Sequence, residues 1–230
     1  MISINNLLKT YNKTVAVDIP KLEIGNGIIG LVGNNGAGKT TLFRLLLDLI
    51  KPNRGEVLSN EKDVSKSEDW KAYTAAYIDE GFLIQYLTPE EYFYFAGKLH
   101  NLTKADVDEH LARYSSFFDG AILNSKKYIR DLSKGNQFKV GIAACMLQNP
   151  DVLILDEPFA NLDPSSQIRL IQMFKEQNAF KHITILISSH DLNHITEVCT
   201  RILLMEKGAI IKYLQTSPDT LNELADYFKV

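Results

Sequence analysis

The sequence predicts an α/β fold with a mostly parallel central sheet. Four short, apolar runs have the length and composition of buried strands: IIGLV (28–32), VLIL (152–155), ITILI (183–187) and ILLM (202–205). Helix-like segments lie between these runs, and strands that alternate with helices are typical of mostly parallel sheets. The chain of 230 residues is long enough to bury a core of this kind.

Helix signals border the predicted strands. The helix-like run TLFRLLLDLI (41–50) follows the first strand and stops before Pro52. Further along the chain, Asp163 and Pro164 combine an N-cap residue with a proline in the first turn, which predicts that a helix starts there. These signals support the alternation of strands and helices in the core.

Two segments depart from this alternation. Residues 1–27 contain short strand-like stretches separated by polar turns, which predicts an N-terminal antiparallel β subdomain. Residues 86–148 look helical throughout, and TPEE (88–91) is a capping box with proline in the first turn. We therefore expect a single domain. In it, residues 1–85 and 149–230 form the β subdomain and the α/β core, and the helical segment is an inserted subdomain.

Composition and charge narrow the classes of function. The net charge is only −3 and the chain has no Lys/Arg block, so we expect no nucleic-acid partner. Cys145 and Cys199 lie in apolar runs, which is typical of buried thiols in a reducing compartment. We find no signal-peptide pattern, and the longest apolar runs are too short to span a bilayer. A role in a membrane process would therefore require a membrane-embedded partner.

The first chemical motif is GNNGAGKT (33–40), a full match to the phosphate-binding P-loop pattern G-x-x-x-x-G-K-[ST]. It lies directly after a predicted strand and directly before a predicted helix, as this pattern requires. Its glycines permit backbone conformations in which successive N–H groups face a phosphate. We expect Lys39 to reach the β- and γ-phosphates and Thr40 to ligate Mg²⁺. The predicted nucleotide-binding residues of this segment are Gly33, Asn34, Asn35, Gly36, Ala37, Gly38, Lys39, Thr40 and Thr41.

The second motif is VLILDEP (152–158). A carboxylate at the end of a buried strand faces the crevice in which open α/β sheets bind ligands. We expect Asp156 to hold Mg²⁺ and Glu157 to polarise the water that attacks the γ-phosphate. The dipeptide alone would carry little weight, but it follows Lys39 of a full P-loop by 117 residues and ends an apolar run. Together the two motifs predict a P-loop NTPase core.

Further motifs show which NTPase family the chain resembles. The guanine-reading motif N-K-x-D is absent from the sequence, which argues against a GTPase switch protein. LSKGN (132–136) resembles the LSGGQ signature of ABC-type ATPases, NLDP (161–164) resembles their D-loop, and ISSHDLNHI (187–195) resembles their switch-histidine segment. Tyr11 stands where that family places an aromatic ring against adenine. The match covers nearly the whole chain, which is similar to a nucleotide-binding subunit of an ABC transporter.

The resemblance implies ATP and Mg²⁺ as cofactors and gives roles to several residues. Tyr11 would stack on adenine, Glu157 would act as the base, and His190 would orient the attacking water. Lys39 completes the catalytic set. The remaining nucleotide-binding positions implied by the resemblance are Glu80, Ser133, Lys134, Gly135, Asn136 and Asp163, and Glu80 is also an expected Mg²⁺ ligand.

The sequence departs from the family pattern at three positions. The signature has Lys134 for the usual first glycine and Asn136 for the usual glutamine, while its serine and second glycine remain. We expect this signature to function, with Lys134 adding positive charge near the nucleotide. Glu80 takes the place of a glutamine, and ionised Glu accepts hydrogen bonds but donates none. Gln85 is a candidate substitute, although it lies close to the predicted helix start.

The resemblance implies a mechanism and a location. Two nucleotide-binding subunits, identical or different, would meet head to tail with ATP between the P-loop of one and the signature of the other. Their movement would pass through the helical subdomain to an integral membrane permease subunit, with this chain peripheral on the cytoplasmic face of the cell membrane. Chromosome-maintenance relatives need a long coiled coil between the motifs, and translation-associated relatives need two ATPase domains, so neither fits.

Two other functions stay open at this point. One is a soluble or regulatory ABC-type ATPase that acts on a membrane complex without transporting a substrate. The other is a nucleotide-binding module with weak catalysis, which Glu80 would favour because it places a further negative charge near the γ-phosphate.

Overall fold

The structure is a computed structural model that describes residues 1–228 apart from the side chain of Glu80. It contains an antiparallel sheet, a second, mostly parallel sheet, and a group of helices inserted between two strands of the second sheet. The strands are β1 (Ile2–Tyr11), β2 (Thr14–Ile24), β3 (Gly27–Val32), β4 (Arg54–Ser59), β5 (Lys62–Asp63), β6 (Thr74–Tyr77), β7 (Val152–Asp156), β8 (Thr184–Ser189), β9 (Arg201–Glu206) and β10 (Ala209–Gln215). The α-helices are α1 (Lys39–Leu46), α2 (Pro89–Leu99), α3 (Lys104–Arg113), α4 (Ser115–Phe118), α5 (Lys134–Leu147), α6 (Pro164–Lys181), α7 (Leu192–Val198) and α8 (Thr220–Phe228), and 3₁₀ helices span Asp69–Ala72, Glu80–Phe82 and Ile129–Asp131.

The mostly parallel sheet has the strand order β10-β9-β3-β8-β7-β6. All four apolar runs predicted as strands lie in it, so the predicted α/β class is confirmed; β10 runs antiparallel to β9. Val32 pairs with Ser189, and Asp156 pairs with Ser188. The carboxyl ends of β3, β8 and β7 therefore meet at one edge of the sheet, where the P-loop begins.

The antiparallel sheet has the strand order β2-β1-β4-β5. The prediction of antiparallel strands in residues 1–27 is confirmed by β1 and β2, and the sheet is extended by β4 and β5 from beyond the P-loop helix. Val57 of β4 pairs with Ile4 of β1. Both side chains are buried in the same apolar cluster as Val17 of β2 and Phe43 of α1. The sheet therefore packs against the helix that follows the P-loop.

The two helix starts predicted in the core are present, with one shift in bounds. Helix α1 begins at Lys39, two residues before the predicted start, and ends at Leu46 rather than at residue 50. Asp48 just beyond it adopts a left-handed conformation with φ 51°, which ends the helix. Asp163 caps α6 as predicted, because its Oδ1 accepts a hydrogen bond from the N–H of Ser166 at 2.9 Å.

The inserted helices do not fill the whole segment 86–148. Residues 119–128 contain turns and irregular backbone, so the expectation of helix throughout this segment is wrong there. Asp119, Gly120 and Asn124 have φ values of 50°, 67° and 61°, in the left-handed region. A right-handed helix cannot continue through such residues. Helix α4 therefore ends at Phe118, and the next α-helix begins with the signature segment.

Helix α2 begins as the sequence predicts. Thr88 and Glu91 form a reciprocal capping box, in which Glu91 Oε2 accepts from the Thr88 N–H at 2.8 Å. The aromatic run that follows is divided between two environments. Phe93 is fully buried, whereas Phe95 is 45% exposed. One ring therefore packs in the core and another reaches the surface of the helical segment.

The helical segment shares its apolar core with the parallel sheet. One buried cluster joins Phe93 and Phe138 of the helices to Tyr77 of β6. A methyl group on Gly141 of α5 would lie 2.2 Å from the Tyr77 ring, so the helix backbone contacts the ring directly. Within residues 1–228, no helix has the length and apolar composition needed to cross a membrane.

Both cysteines are free thiols within this core region. Cys199 is buried, and the Cys145 thiol donates to the carbonyl oxygen of Ala76 at 3.3 Å. Burial raises the pKa of the Cys145 thiol to about 12, so this thiol is protonated and unreactive near neutral pH. The expectation of thiols held in apolar surroundings agrees with these environments.

Candidate nucleotide-binding site

The loop between β3 and α1 has a shape that only glycine permits at several positions. Gly36 and Gly38 have φ values of 82° and 109°. A methyl group on Gly38 would lie 2.2 Å from the carbonyl oxygen of Ala16, and one on Gly33 would lie 2.3 Å from that of Met205. The Cβ position of Gly36 meets nothing within 4 Å, so the loop is open on that side. The predicted loop thus forms a cradle with an accessible rim.

Lys39 lies folded over this cradle. Its side chain is buried, and its Nζ donates to the carbonyl oxygens of Gly33 at 2.7 Å and Asn34 at 3.4 Å. The same ammonium group lies 4.0 Å from Glu157 Oε1. Gly38 at the N-cap of α1 has no side chain to cap the first turn, which leaves the N–H groups of that turn for an anion.

Thr40 and Asp156 place two oxygen donors side by side. The Thr40 hydroxyl donates to Asp156 Oδ2 at 2.5 Å, and the Ser188 hydroxyl donates to Asp156 Oδ1. In the part of the chain that the structure describes, no group of three or more His, Cys, Asp or Glu side chains is arranged to hold a metal. Mg²⁺ binds through one or two protein oxygens together with phosphates and waters, so this donor pair fits Mg²⁺ brought in with a nucleotide.

Glu157 is held in an unusual backbone conformation, with φ 49°. Its N–H donates to the carbonyl and hydroxyl oxygens of Ser188, at 3.1 and 2.9 Å. Its Oε2 is paired with His190 Nδ1 at 2.9 Å. The three catalytic candidates from the sequence, Glu157, His190 and Lys39, are therefore brought together. A carboxylate oriented in this way can accept a proton from a water.

The signature segment begins α5 and packs against the D-loop of the same chain. Ser133 is the N-cap, and its hydroxyl accepts from the N–H of Asn136 at 3.3 Å. Ser133 and Lys134 are exposed. A methyl group on Gly135 would lie 2.5 Å from the carbonyl oxygen of Asn161. The sequence explains this glycine by its approach to a phosphate, and the structure adds a second reason within the chain.

Asp163 lies at the far end of the D-loop with its carboxylate engaged by its own chain. Both oxygens accept hydrogen bonds, from the hydroxyl of Ser165 at 2.6 Å and from the hydroxyl and N–H of Ser166 at 2.6 and 2.9 Å. These hydrogen bonds, with Ser165 the largest contributor, hold the pKa of Asp163 well below its usual range. Its expected contact with a nucleotide thus comes in addition to a helix-capping role.

The remaining predicted site residues have separate environments. Tyr11 is at the end of β1 with its side chain 47% exposed, and Lys9 Nζ lies 5.2 Å from the centre of its ring. Thr41 is half-buried in α1, and Asn34 and Asn35 are exposed on the rim of the cradle. Ala37 is buried. The side chain of Glu80 lies outside the described part of the structure.

Two parts of this site were not found from the sequence. Ser188 forms hydrogen bonds with both Asp156 and Glu157. The only sign of this role in the sequence is that a hydroxyl residue stands in an apolar strand. A cavity of about 170 Å³ lies beside these carboxylates and is bordered by Lys134 and Gln137 of α5. Both features depend on which strands and helices are neighbours, which local sequence does not reveal.

Comparison with protein families gives one match over most of the chain. A family model described as ABC transporter matches residues 18–160. A second model, described as an AAA domain of a putative AbiEii toxin, matches the shorter range 126–196.

Three curated relatives illustrate the similarity. YxlF of Bacillus subtilis, an uncharacterized ABC transporter ATP-binding protein, is 32% identical over 218 residues, which cover 91% of this chain and 69% of the relative. The energy-coupling factor transporter ATP-binding protein EcfA2 of Clostridium tetani is 32% identical, with 91% and 77% covered. The methionine import ATP-binding protein MetN 1 of Shouchella clausii is 33% identical, with 92% and 64% covered.

Solved structures share the fold. A structure described as the ATP-binding subunit of an ABC transporter superposes with a TM-score of 0.84 and 25% identity, covering 98% of this chain and 93% of the other. A second, described as the dimeric post-hydrolysis state of an ATP-binding cassette bound to ADP and Pi, has a TM-score of 0.82 and 21% identity, with 94% and 99% covered.

Proposed function

The chain belongs to the ABC transporter family of ATP-binding proteins, and from this membership we propose that it is the ATP-hydrolysing subunit of a transporter whose membrane-spanning subunits are separate polypeptides. One observation carries the catalytic part of this proposal. The Glu157 carboxylate lies 2.9 Å from His190 and 4.0 Å from the P-loop residue Lys39. The proposed base, the residue proposed to orient the attacking water and the ammonium proposed to bind phosphate therefore lie together at one edge of the sheet.

The proposed chemistry follows from these positions. The N–H groups of the P-loop and Lys39 would bind the β- and γ-phosphates, with phosphate oxygens replacing the loop carbonyls that Lys39 now contacts. Thr40 and Asp156 would hold Mg²⁺, which supplies charge neutralisation at the phosphates when bound. Glu157 would accept a proton from the attacking water, and His190, whose Nδ1 lies 2.9 Å from Glu157 Oε2, would orient that water.

We propose further that the ATP is shared between two subunits. Ser133 and Lys134 are exposed at the N-terminus of α5, where helix N–H groups favour an anion. A P-loop from a second nucleotide-binding subunit, identical or different, would bring its γ-phosphate there. A solved structure with the same fold is described as a dimer bound to ADP and Pi, which supports this arrangement. ATP would then favour the closed pair because it contacts both halves only in that state.

An exposed aromatic surface is the proposed contact with the membrane-spanning subunit. Tyr86 is 71% exposed, and the Arg130 guanidinium lies 4.8 Å from its ring and 5.3 Å from the ring of Tyr128. Phe82 and Ile84 are also exposed in the segment that leads from β6 into the helices. Clusters of this kind are typical of protein interaction sites. The chain would work there as a peripheral subunit on the cytoplasmic face of the cell membrane.

Relatives support transport without naming a substrate for this chain. EcfA2 is named as a component of an energy-coupling factor transporter, and MetN 1 as a component of methionine import. The residues that carry the proposal here would bind and hydrolyse ATP. The substrate would be selected by the membrane-spanning partner.

The experiment that tests catalysis is Glu157→Gln. This change keeps the size of the side chain and removes its ability to take a proton, so we expect ATP turnover to fall by about 10²–10⁴-fold. ATP binding should persist, because the P-loop is untouched. Trapped ATP should also yield a dimer by size-exclusion chromatography in the presence of ATP.

The matched control is Glu68→Gln, which removes an exposed carboxylate whose ion-pair partner is Lys71. We expect this variant to turn over ATP like the wild type. Unchanged turnover in Glu157→Gln would remove the catalytic assignment. Should the natural partner be a different subunit, the dimer would be absent from the purified chain, so the turnover number is the deciding readout.

A further inference from the structure

Lys139 of α5 is a charged residue in a buried position. It is only 4% exposed, four residues after Gly135 on the helix that begins with the signature. Its Nζ lies 3.8 Å from Asp163 Oδ2 and 5.5 Å from the centre of the Phe117 ring. Both contacts favour an ammonium, one through opposite charge and the other through the negative face of the ring.

Burial of an ammonium group in this space has a free-energy cost. Removing a charge from water is costly, and an apolar side chain of the same length often serves stability as well or better. The ion pair is also half open to water, since 56% of the Asp163 side chain is exposed. Packing alone therefore does not require a charge at position 139. The residue that the charge contacts, Asp163, indicates what the charge does.

The contacted residue ends the loop that carries the catalytic carboxylate. That loop runs from Glu157 to Asp163 and contains a left-handed residue, Asn161, with φ 64°. At its first end, Glu157 is bound to Ser188 and His190. At its other end, Asp163 caps α6 and faces Lys139.

A second contact joins the same two elements. The carbonyl oxygen of Asn161 lies so close to Gly135 that a methyl group there would be at 2.5 Å. The signature helix therefore meets the loop at two places, through the backbone of Gly135 and through the ammonium of Lys139. Two contacts one helical turn apart fix both the distance and the rotation between a helix and a loop.

We propose that Lys139 is a positioning residue that couples the signature helix to the catalytic loop of the same subunit. This inference rests on the proposed function, in which the signature contacts the ATP held by a partner and Glu157 acts on the ATP of its own P-loop. A fixed relation between helix and loop would make the two ATP sites of a dimer respond together. Loss of the charge would leave each motif intact and loosen their relation.

The test compares Lys139→Met, which keeps the unbranched stem and removes the charge, with Lys139→Arg, which keeps the charge. We expect Lys139→Met to bind ATP within about twofold of wild type, because its P-loop is unchanged. Its kcat should fall at least tenfold. In a Glu157→Gln background, the ATP-dependent dimer should require at least tenfold more protein. Lys139→Arg should restore both values to within about threefold, since it can reach the same carboxylate.

Each outcome decides the question. A Lys139→Met variant with lower thermal stability and unchanged kcat and dimerisation would show a merely structural role and overturn the proposal. Equal losses of kcat and of dimerisation in Lys139→Met and Lys139→Arg would also overturn the proposal. If Lys139→Met fails to fold, Lys139→Gln replaces it, because glutamine keeps a polar end group and lacks the charge. That variant must show the same kcat and dimerisation losses, or the proposal fails.

The proposed function is tested separately by the wild-type chain. A wild type that neither hydrolyses ATP nor dimerises with it would refute the proposed function itself. A wild type that does both, beside a Lys139→Met variant that behaves identically, would refute only the role of Lys139.

Discussion

Gly135→Ala should destabilise the isolated, nucleotide-free chain. The sequence alone explains this glycine by the approach of a phosphate from a partner subunit, which predicts no effect on the isolated chain. In the structure, however, the added methyl group would lie 2.5 Å from the carbonyl oxygen of Asn161 and 3.8 Å from Leu162 Cδ2. The nearest atom belongs to the backbone, so it cannot move aside as the tip of a flexible side chain would.

Two opposing effects set the change in the free energy of unfolding. Overpacking of a close contact costs about 1–3 kcal/mol. Alanine favours a helix over glycine by up to about 1 kcal/mol, which offsets part of that cost. We therefore expect a net loss of about 1–2 kcal/mol in the free energy of unfolding. For a chain of this size, that loss lowers Tm by about 2–8 °C.

The assay is thermal unfolding without nucleotide, followed by circular dichroism or calorimetry. Gly25→Ala is the matched control, because its added methyl group would have its nearest neighbour, Arg201 Nη1, at 3.9 Å, an ordinary contact. Its unfolding free energy should change by less than about 0.5 kcal/mol. If Gly135→Ala unfolds at the wild-type temperature, the close contact between the signature helix and the D-loop is not a constraint on the folded chain.

Three further predictions concern the nucleotide, the metal and pH. Tyr11→Ala should weaken ATP binding about 5–150-fold while Tyr11→Phe retains it, since base–aromatic stacking contributes about 1–3 kcal/mol; titration with ATP measures both, and equal affinity of the Ala variant would refute stacking. Thr40→Ala removes the hydroxyl that contacts Asp156, so ATP affinity should fall about tenfold with Mg²⁺ and much less in EDTA; equal losses under both conditions would count against a Mg²⁺ ligand. Burial lowers the pKa of His110, whose Nε2 contacts the carbonyl oxygen of Ala143 at 2.9 Å. The neutral form of His110 stabilises the fold fully above the usual histidine pKa, and this stabilisation is lost as pH falls. Tm should therefore drop more between pH 7.5 and 5.5 in the wild type than in His110→Gln.

The sequence predicts the parallel sheet well because each of its strands has a recognisable local composition. Runs such as VLIL and ITILI are short and apolar on both faces, which is what burial under helices requires. The pairing of β4 with β1 was not predicted, because Val57 and Ile4 are far apart in sequence and only the folded chain brings them together. The sequence of residues 119–128 resembles a helix although their backbone is irregular, since the left-handed conformations that interrupt it have only weak signals in Asp, Gly and Asn.

In the candidate site too, some residues can be predicted from the sequence and others cannot. The P-loop and the Asp156-Glu157 pair lie in continuous motifs, so residue spacing was enough to find them. The hydroxyl of Ser188 and the contact between Lys139 and Asp163 join segments that the sequence separates by more than twenty residues. The close packing of Gly135 on the D-loop belongs to the same class. Motifs identify the reacting groups, and tertiary contacts show how those groups are held.

In the proposed mechanism, one ATP lies between the P-loop of one subunit and the signature of another. The most direct test mixes Lys39→Ala, which lacks a working P-loop, with Ser133→Arg, in which a bulky cation blocks the exposed signature. Each variant alone should be inactive, whereas a mixed dimer contains one site built from two intact halves. With random pairing of two-fold dimers, half of the dimers are mixed and each has one intact site, so the mixture should recover activity of up to about one quarter of the wild-type value. A mixture as inactive as its two components would contradict the shared site.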